Sequence, residues 1–201
     1  RIGEAYAGMM AEGHKMNILY YNLRENRELE DYITAYGDFL KSRGIPPVSC
    51  RRAGNIEELL IHADCISIHT ILDDTTHHLI NAERLALMKD NAILINTSRG
   101  PVIDEAALVT HCRNHPDFRA GLDVFENEPD TEPGLTELDN VVIVPHIASA
   151  SRNTREGMAI LAAGNVAAIL SGYPPWQQED ITPFLGDNPP HAAPSILNPE
   201  C

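Results

Sequence analysis

A chain of 201 residues, 43% hydrophobic and 22% charged, is long enough to bury a sizeable core, which excludes a disordered or fibrous protein. Fifteen basic against 29 acidic side chains give a net charge of −14, and the densest basic stretch is Arg43 with Arg51 and Arg52, so no nucleic-acid or anionic-lipid partner is expected. No run of about 18 apolar residues occurs, so no membrane-spanning helix is expected either.

The chain opens on Arg1-Ile2-Gly3 without an initiator methionine or a basic-then-apolar leader, and it reads as a fragment whose beginning is missing. Helices are expected over residues 4–12, 27–41, 56–61, 104–114 and 152–170. Strand-length apolar bursts alternate with them at 17–21, 65–69, 92–97, 120–124 and 141–145. Strands alternating with helices predict a parallel sheet covered on both faces, and continuous apolar runs are what such two-sided burial requires. The stretch 27–52, ending after Pro46-Pro47, is long for a simple crossover and reads as an insertion, about 24–53, with its own helix. The last helix is the clearest: Ser151 caps it, Met158, Leu161, Ala162, Val166, Ile169 and Leu170 form one stripe, and Gly172 and Pro174 stop it. Half of the fourteen prolines fall in the final 29 residues, which predicts an irregular tail folded over the domain. The four cysteines, Cys50, Cys65, Cys112 and Cys201, include no C-x-x-C pair and predict no disulfide framework, pointing to a reducing compartment.

Three groups carry candidate chemistry. Arg1-Ile2-Gly3 opens a helix, and Asn22 follows the next strand about 20 residues later, matching the back half of a dinucleotide fingerprint. Asn22 stands where an acid would bind the ribose 2′-hydroxyl; being neutral, it repels a 2′-phosphate less, and Arg24 is close enough in sequence to attract one. Arg99 follows the strand at 92–97, where its planar fork suits a carboxylate. Glu128 and His146 also lie past strands, on the same expected edge, and a carboxylate beside a proton-transferring histidine favours imidazolium. His111 and His115, four apart on a helix, are read as favouring its C-terminal dipole, and His77-His78 as a loop-to-helix connection. No metal is assigned to either pair.

Arg1-Ile2-Gly3, His69-Thr70-Ile71-Leu72 with Thr75-Thr76-His77-His78-Leu79-Ile80, residues 96–104, residues 121–129 and Pro145-His146-Ile147-Ala148-Ser149 together resemble the D-2-hydroxyacid dehydrogenase family. The resemblance runs in the family's order from residue 1 to about 172. It implies a Rossmann-type, doubly wound parallel sheet lacking its first strand. It divides the chain into a partial NAD(P)-binding domain at 1–147 and, at 148–201, a C-terminal helix and proline-rich tail from a largely absent substrate domain. It further implies that Arg99 binds the substrate carboxylate, that His146 is the acid–base, and that Glu128 orients and charges it. Arg1, Ile2, Asn22, Thr70, Thr97, Ser98, Arg99, Asp123, His146, Ala148 and Ser149 would line NAD, with NADH preferred and NADP possible. Residues 32–37, 118–123 and 172–176 resemble family members that reduce hydroxypyruvate to D-glycerate, with glyoxylate as a further substrate. The same likeness implies a homodimer taking a small 2-keto or 2-hydroxy acid, and a peroxisomal location, with mitochondrion or cytoplasm as alternatives, although Asn198-Pro199-Glu200-Cys201 is not the S-K-L address. Another D-2-hydroxyacid dehydrogenase, or an NAD(H)-sensing corepressor-like module of the same fold, is the competing reading.

Overall fold

The computed structural model describes residues 2–176, 178 and 180–194. It divides into two compact units, residues 1–145 and 146–201, each described by itself below. Among the described residues no helix is long and apolar enough to cross a membrane.

The first unit follows the alternation that the apolar bursts predict. In chain order it comprises α1 (Ile2–His14), β1 (Ile18–Tyr20), α2 (Arg27–Ser42), β2 (Cys50–Arg52), α3 (Ile56–His62), β3 (Cys65–Ile68), α4 (Ala82–Leu85), β4 (Ile93–Asn96), α5 (Glu105–Asn114), β5 (Arg119–Leu122) and β6 (Val141–Ile143). Every strand pairing is parallel, in two ladders: β1 with β2, and β3-β4-β5-β6. The stretch read as an insertion, 24–53, holds α2 and a strand, β2. β2 pairs with β1 through Ile18–Cys50, Leu19–Arg51 and Tyr20–Arg52, and α2 is the crossover between them. A three-residue Cys-Arg-Arg strand with both arginines exposed carries no apolar burst, which is why its sequence hides it.

Side-chain caps set the helix starts. Asn26, Asn55, Asn81 and Asp104 each accept a hydrogen bond from the backbone N–H three residues on, satisfying donors that have no partner inside the helix. Strand burial alternates where continuous runs suggested two-sided burial. In β3, Ile66 and Ile68 are buried while Cys65 and Ser67 are only half-buried. The buried side faces the main core, with Leu60, Ile80, Leu85, Leu94, Val102, Ile103, Leu108, Phe118 and Leu122. The other side of β3 meets α1, where the Tyr6 and His69 rings lie 5.4 Å apart. A smaller core joins Ala7 and Ala11 of α1 to Leu29, Ile33 and Leu40 of α2 and to Val48.

The second unit is built on α6 (Arg152–Leu170). Ser151 accepts from Thr154 N at 3.1 Å, and Gly172, at φ +68°, ends the helix in the left-handed region that glycine adopts without a Cβ penalty. Of the stripe on this helix, Met158, Val166, Ile169 and Leu170 are exposed and Leu161 is half-buried; Ala168 is the buried residue of α6. The described tail folds back through a parallel bridge between Pro175 and Ala193, a 3-10 turn at Thr182–Leu185 and an edge-on contact of Trp176 with Phe184.

Candidate active site

Parallel strands place all their carboxyl ends on one edge of a sheet, the edge where open α/β sheets bind ligands. Thr70 leaves β3 there, Thr97, Ser98 and Arg99 leave β4, and Asp123 and Glu128 follow β5. Asn22 follows β1 at the corresponding end of the smaller ladder.

The turn carrying Arg99 is organised by Asn96, a buried residue that the sequence reading did not single out. Its Oδ1 accepts from Ser98 N at 3.0 Å and Ser98 Oγ at 2.8 Å, while its Nδ2 donates to Arg99 O at 2.9 Å. The Arg99 side chain is exposed and its Nη1 donates to Ser98 O at 2.6 Å. Gly100 brings this turn against the segment after β5, since a Cβ there would stand 1.9 Å from Phe125 C and O. Asp123, buried, donates its N–H to Asn96 O at 3.0 Å, stitching the ends of β4 and β5 together. Glu128 is exposed and its Oε1 accepts from Phe125 N at 3.1 Å; the Glu128–Pro129 peptide is cis.

A second brace lies beside it. Glu105, in the first turn of α5, is buried, and its Oε1 accepts from Glu126 N at 2.7 Å, while Glu126 Oε2 accepts from Glu105 N at 3.0 Å. Burial, the largest cause, raises the Glu105 pKa above the ordinary carboxylate value. Glu126 Oε1 also accepts from His78 Nε2 at 2.6 Å. Neither carboxylate was picked out from sequence; the available signal was an acidic residue inside an otherwise apolar helix start.

Around the nucleotide-binding candidates, Gly3 is the informative position. Its missing Cβ would lie 3.2 Å from His69 Cβ, so the first turn of α1 packs directly against the end of β3. His69 pairs with Ser67 Oγ at 2.9 Å, and burial lowers its pKa. Ile2 is exposed, and Arg1 lies outside the described residues. The exposed Asn22 turns its Oδ1 to its neighbour's Leu23 N at 2.9 Å. Its carbonyl oxygen accepts from Arg52 Nε at 3.0 Å and Nη2 at 2.7 Å, so the cation set at this strand end is Arg52, which the sequence does not place beside Asn22.

In the second unit His146 is exposed and has φ +51°, a conformation uncommon for a residue with a side chain, and Ala148 and Ser149 are exposed beside it. Of the remaining histidines, His115 caps the end of α5 and donates from Nδ1 to His111 O at 2.9 Å, the C-terminal role expected of it. His111 stacks on it at 4.1 Å, and its buried Nε2 has no hydrogen-bond partner among the described residues.

The model of the D-isomer specific 2-hydroxyacid dehydrogenase NAD binding domain matches residues 1–148. The chain belongs to this family. The glycine-tight start of α1 and the shared carboxyl edge are features that a dinucleotide site of a parallel α/β sheet uses, so the residues present fit NAD. The chain is 58% identical over 98% of its length to the peroxisomal glycerate dehydrogenase HPR of Arabidopsis thaliana and to the glycerate dehydrogenase of Cucumis sativus, covering 52% and 53% of those proteins. It is 44% identical over 87% of its length to the glyoxylate reductase of Thermococcus litoralis, covering 48% of it. Among solved structures, D-lactate dehydrogenase from Aquifex aeolicus, complexed with NAD and lactic acid, superimposes with a TM-score of 0.71 at 31% identity, over 85% of this chain and 51% of that one. The chain thus spans about half the length of the dehydrogenases it matches.

Proposed function

We propose that this chain is the NAD-binding half of an enzyme that reduces hydroxypyruvate to D-glycerate, and glyoxylate to glycolate, with NADH preferred and NADPH usable. The observation that carries the reading is the 58% identity to two glycerate dehydrogenases across 98% of the chain, against 44% to the glyoxylate reductase. In this reading residues 1–147 form the cofactor domain, and 148–201 contribute a helix and tail to a substrate domain. The relative from Arabidopsis thaliana is named peroxisomal, which supports that compartment. The homodimer rests on family resemblance.

NADH, when bound, would supply the hydride that the C2 carbonyl carbon of the keto acid takes up. Arg99, displayed by the Asn96-braced turn, grips the substrate carboxylate through two parallel N–H···O bonds and fixes which face is presented. His146, as imidazolium, gives its proton to the carbonyl oxygen, so one C–H and one O–H bond form as the C=O π bond is lost. Glu128 favours the charged imidazole and orients it. Ile2, Asn22, Thr70, Thr97, Ser98, Asp123, Ala148 and Ser149 would line the nucleotide, with Arg1, outside the described residues, named by resemblance.

The test is NADH oxidation by the complete enzyme on addition of hydroxypyruvate, in the native protein and in His146→Ala. The substitution removes the proton donor and should lower kcat by about 10²–10⁴-fold while NADH affinity changes little. Near-normal turnover in that variant overturns the assignment of His146. NADH binding with no turnover of either keto acid in the native enzyme would instead leave a nucleotide-sensing module.

A further inference from the structure

We propose that His77, His78 and Glu126 form a binding site for one divalent transition-metal ion of the zinc class. One ligand atom from each of the three lies within 4.8 Å of the other two. The residues come from two segments of the first unit, the connection between β3 and α4 and the stretch following β5.

Consecutive side chains on an extended backbone point to opposite sides, so two adjacent histidines do not ordinarily share a ligand. Here His78 has φ +48°, and the two rings lie on the same side with centroids 4.1 Å apart. A side chain in the left-handed region is a strained arrangement that the surroundings must hold, and such strain gathers at binding sites. The holding is visible: His78 N donates to Pro101 O at 2.8 Å, and Ile80 N to Val102 O at 3.0 Å.

The carboxylate is equally fixed. Glu126 Oε2 accepts from Glu105 N at 3.0 Å, which leaves Oε1 directed at His78 Nε2, 2.6 Å away. A ligand oriented by a hydrogen bond from outside the site is how metal ligands are usually positioned. In a tetrahedron with bonds of about 2.0–2.1 Å the ligand atoms stand roughly 3.3 Å apart, so the Glu126–His78 pair has to open by well under an ångström. The ring planes are inclined by 28°, and His77 is exposed, free to turn its lone pair toward the same point. Two imidazole nitrogens and one carboxylate oxygen suit zinc, cobalt or nickel and not calcium or magnesium, and three protein ligands leave a fourth position for water. The ion would tie the connection before α4 to the segment that carries Glu128.

A plain His78–Glu126 ion pair makes no use of His77, and that separates the two readings. The full 201-residue chain, free of any affinity tag and stripped with a chelator, is titrated with Co²⁺ by its d–d absorption and with Zn²⁺ by calorimetry. Saturable one-to-one binding is expected. His77→Ala and Glu126→Gln should each weaken it by more than the about 10–100-fold that loss of an outer-shell partner costs, while His115→Ala leaves it unchanged. His77 is exposed, so His77→Ala should retain the native circular dichroism and decides the matter even if Glu126→Gln does not fold. Absence of saturable binding in the unsubstituted chain, or binding that survives His77→Ala, overturns the proposal.

Discussion

The carboxyl ends of β4 and β5 and the carboxyl end of β1 belong to the same kind of parallel ladder, yet they are finished differently. Beyond β4 and β5, the buried side chains of Asn96 and Glu105 hydrogen-bond within the turns that display Arg99 and Glu128, and the Asp123 N–H joins the two strand ends through Asn96 O. Beyond β1, Asn22, Leu23 and Arg24 are all exposed, and the contacts there include the Asn22 Oδ1 bond with Leu23 N and the Arg52 guanidinium on the Asn22 and Leu23 carbonyls. A reacting carbon needs geometry held to a fraction of an ångström, whereas a ribose phosphate far from the chemistry needs only a suitable charge. At the first edge the bracing side chains of Asn96 and Glu105 are buried and hydrogen-bonded, and the second is left to water.

That contrast breaks most severely at Gly100. A methyl group there would overlap the Phe125 carbonyl, and the obstacle is backbone, which cannot rotate aside as a side chain can. Gly100→Ala should destabilise the first unit by at least the ~1–3 kcal/mol typical of overpacking, measured by chemical denaturation. A loss under about 0.5 kcal/mol, the range of neutral surface changes, would show that the two turns are not locked together.

The next effect belongs to Glu105. Glu105→Ala leaves the Glu126 and Glu132 N–H groups without their acceptor and should cost about 1–3 kcal/mol at neutral pH. Its pH dependence has a fixed sign. Because burial raises the folded pKa, the folded chain holds this proton where the unfolded chain has released it, so the associated stability is present below the unfolded value of about 4.3 and lost as pH rises through the folded one. The stability gap between the native chain and Glu105→Ala should therefore be wider near pH 4 than at pH 7. A gap that widens with rising pH would contradict the burial.

Elements whose signal is local were legible from sequence: residues 92–97 supplied β4 within the run read as a strand, and Ser151 and Gly172 marked the two ends of α6. Elements specified by distant partners were not. β2 is a strand because β1 lies beside it, its Cys-Arg-Arg carrying little apolar pattern of its own, and the Glu105–Glu126 exchange joins residues 21 apart in sequence. The apolar stripe of α6 marked the helix itself, residues 152–170, while the exposure of Met158, Val166, Ile169 and Leu170 was not legible from it. The family motifs named Arg99 and Glu128 as candidates, while the bonds by which Asn96 and Glu105 brace the turns around them needed coordinates.

The open edge should respond by the smallest amount and in function alone. Asn22→Asp adds a negative charge at the end of β1 while its carboxylate can still accept from Leu23 N, so folding stability should not change. Placed near a cofactor 2′-phosphate, that charge should raise the preference for NADH over NADPH, read as the ratio of kcat/KM values in the complete enzyme. In high-dielectric surroundings one like-charge contact is worth about 1 kcal/mol, roughly a fivefold shift in the ratio. The guanidinium of Arg52, held on the Asn22 carbonyl, bears on both sides of the comparison, attracting the phosphate and screening the new carboxylate. Arg52→Gln alone should therefore weaken NADPH use, and Asn22→Asp should shift the ratio further in the Arg52→Gln background than in the native one. Equal shifts in the two backgrounds would mean that Arg52 does not reach the cofactor, and no shift in either would remove residue 22 from the ribose site.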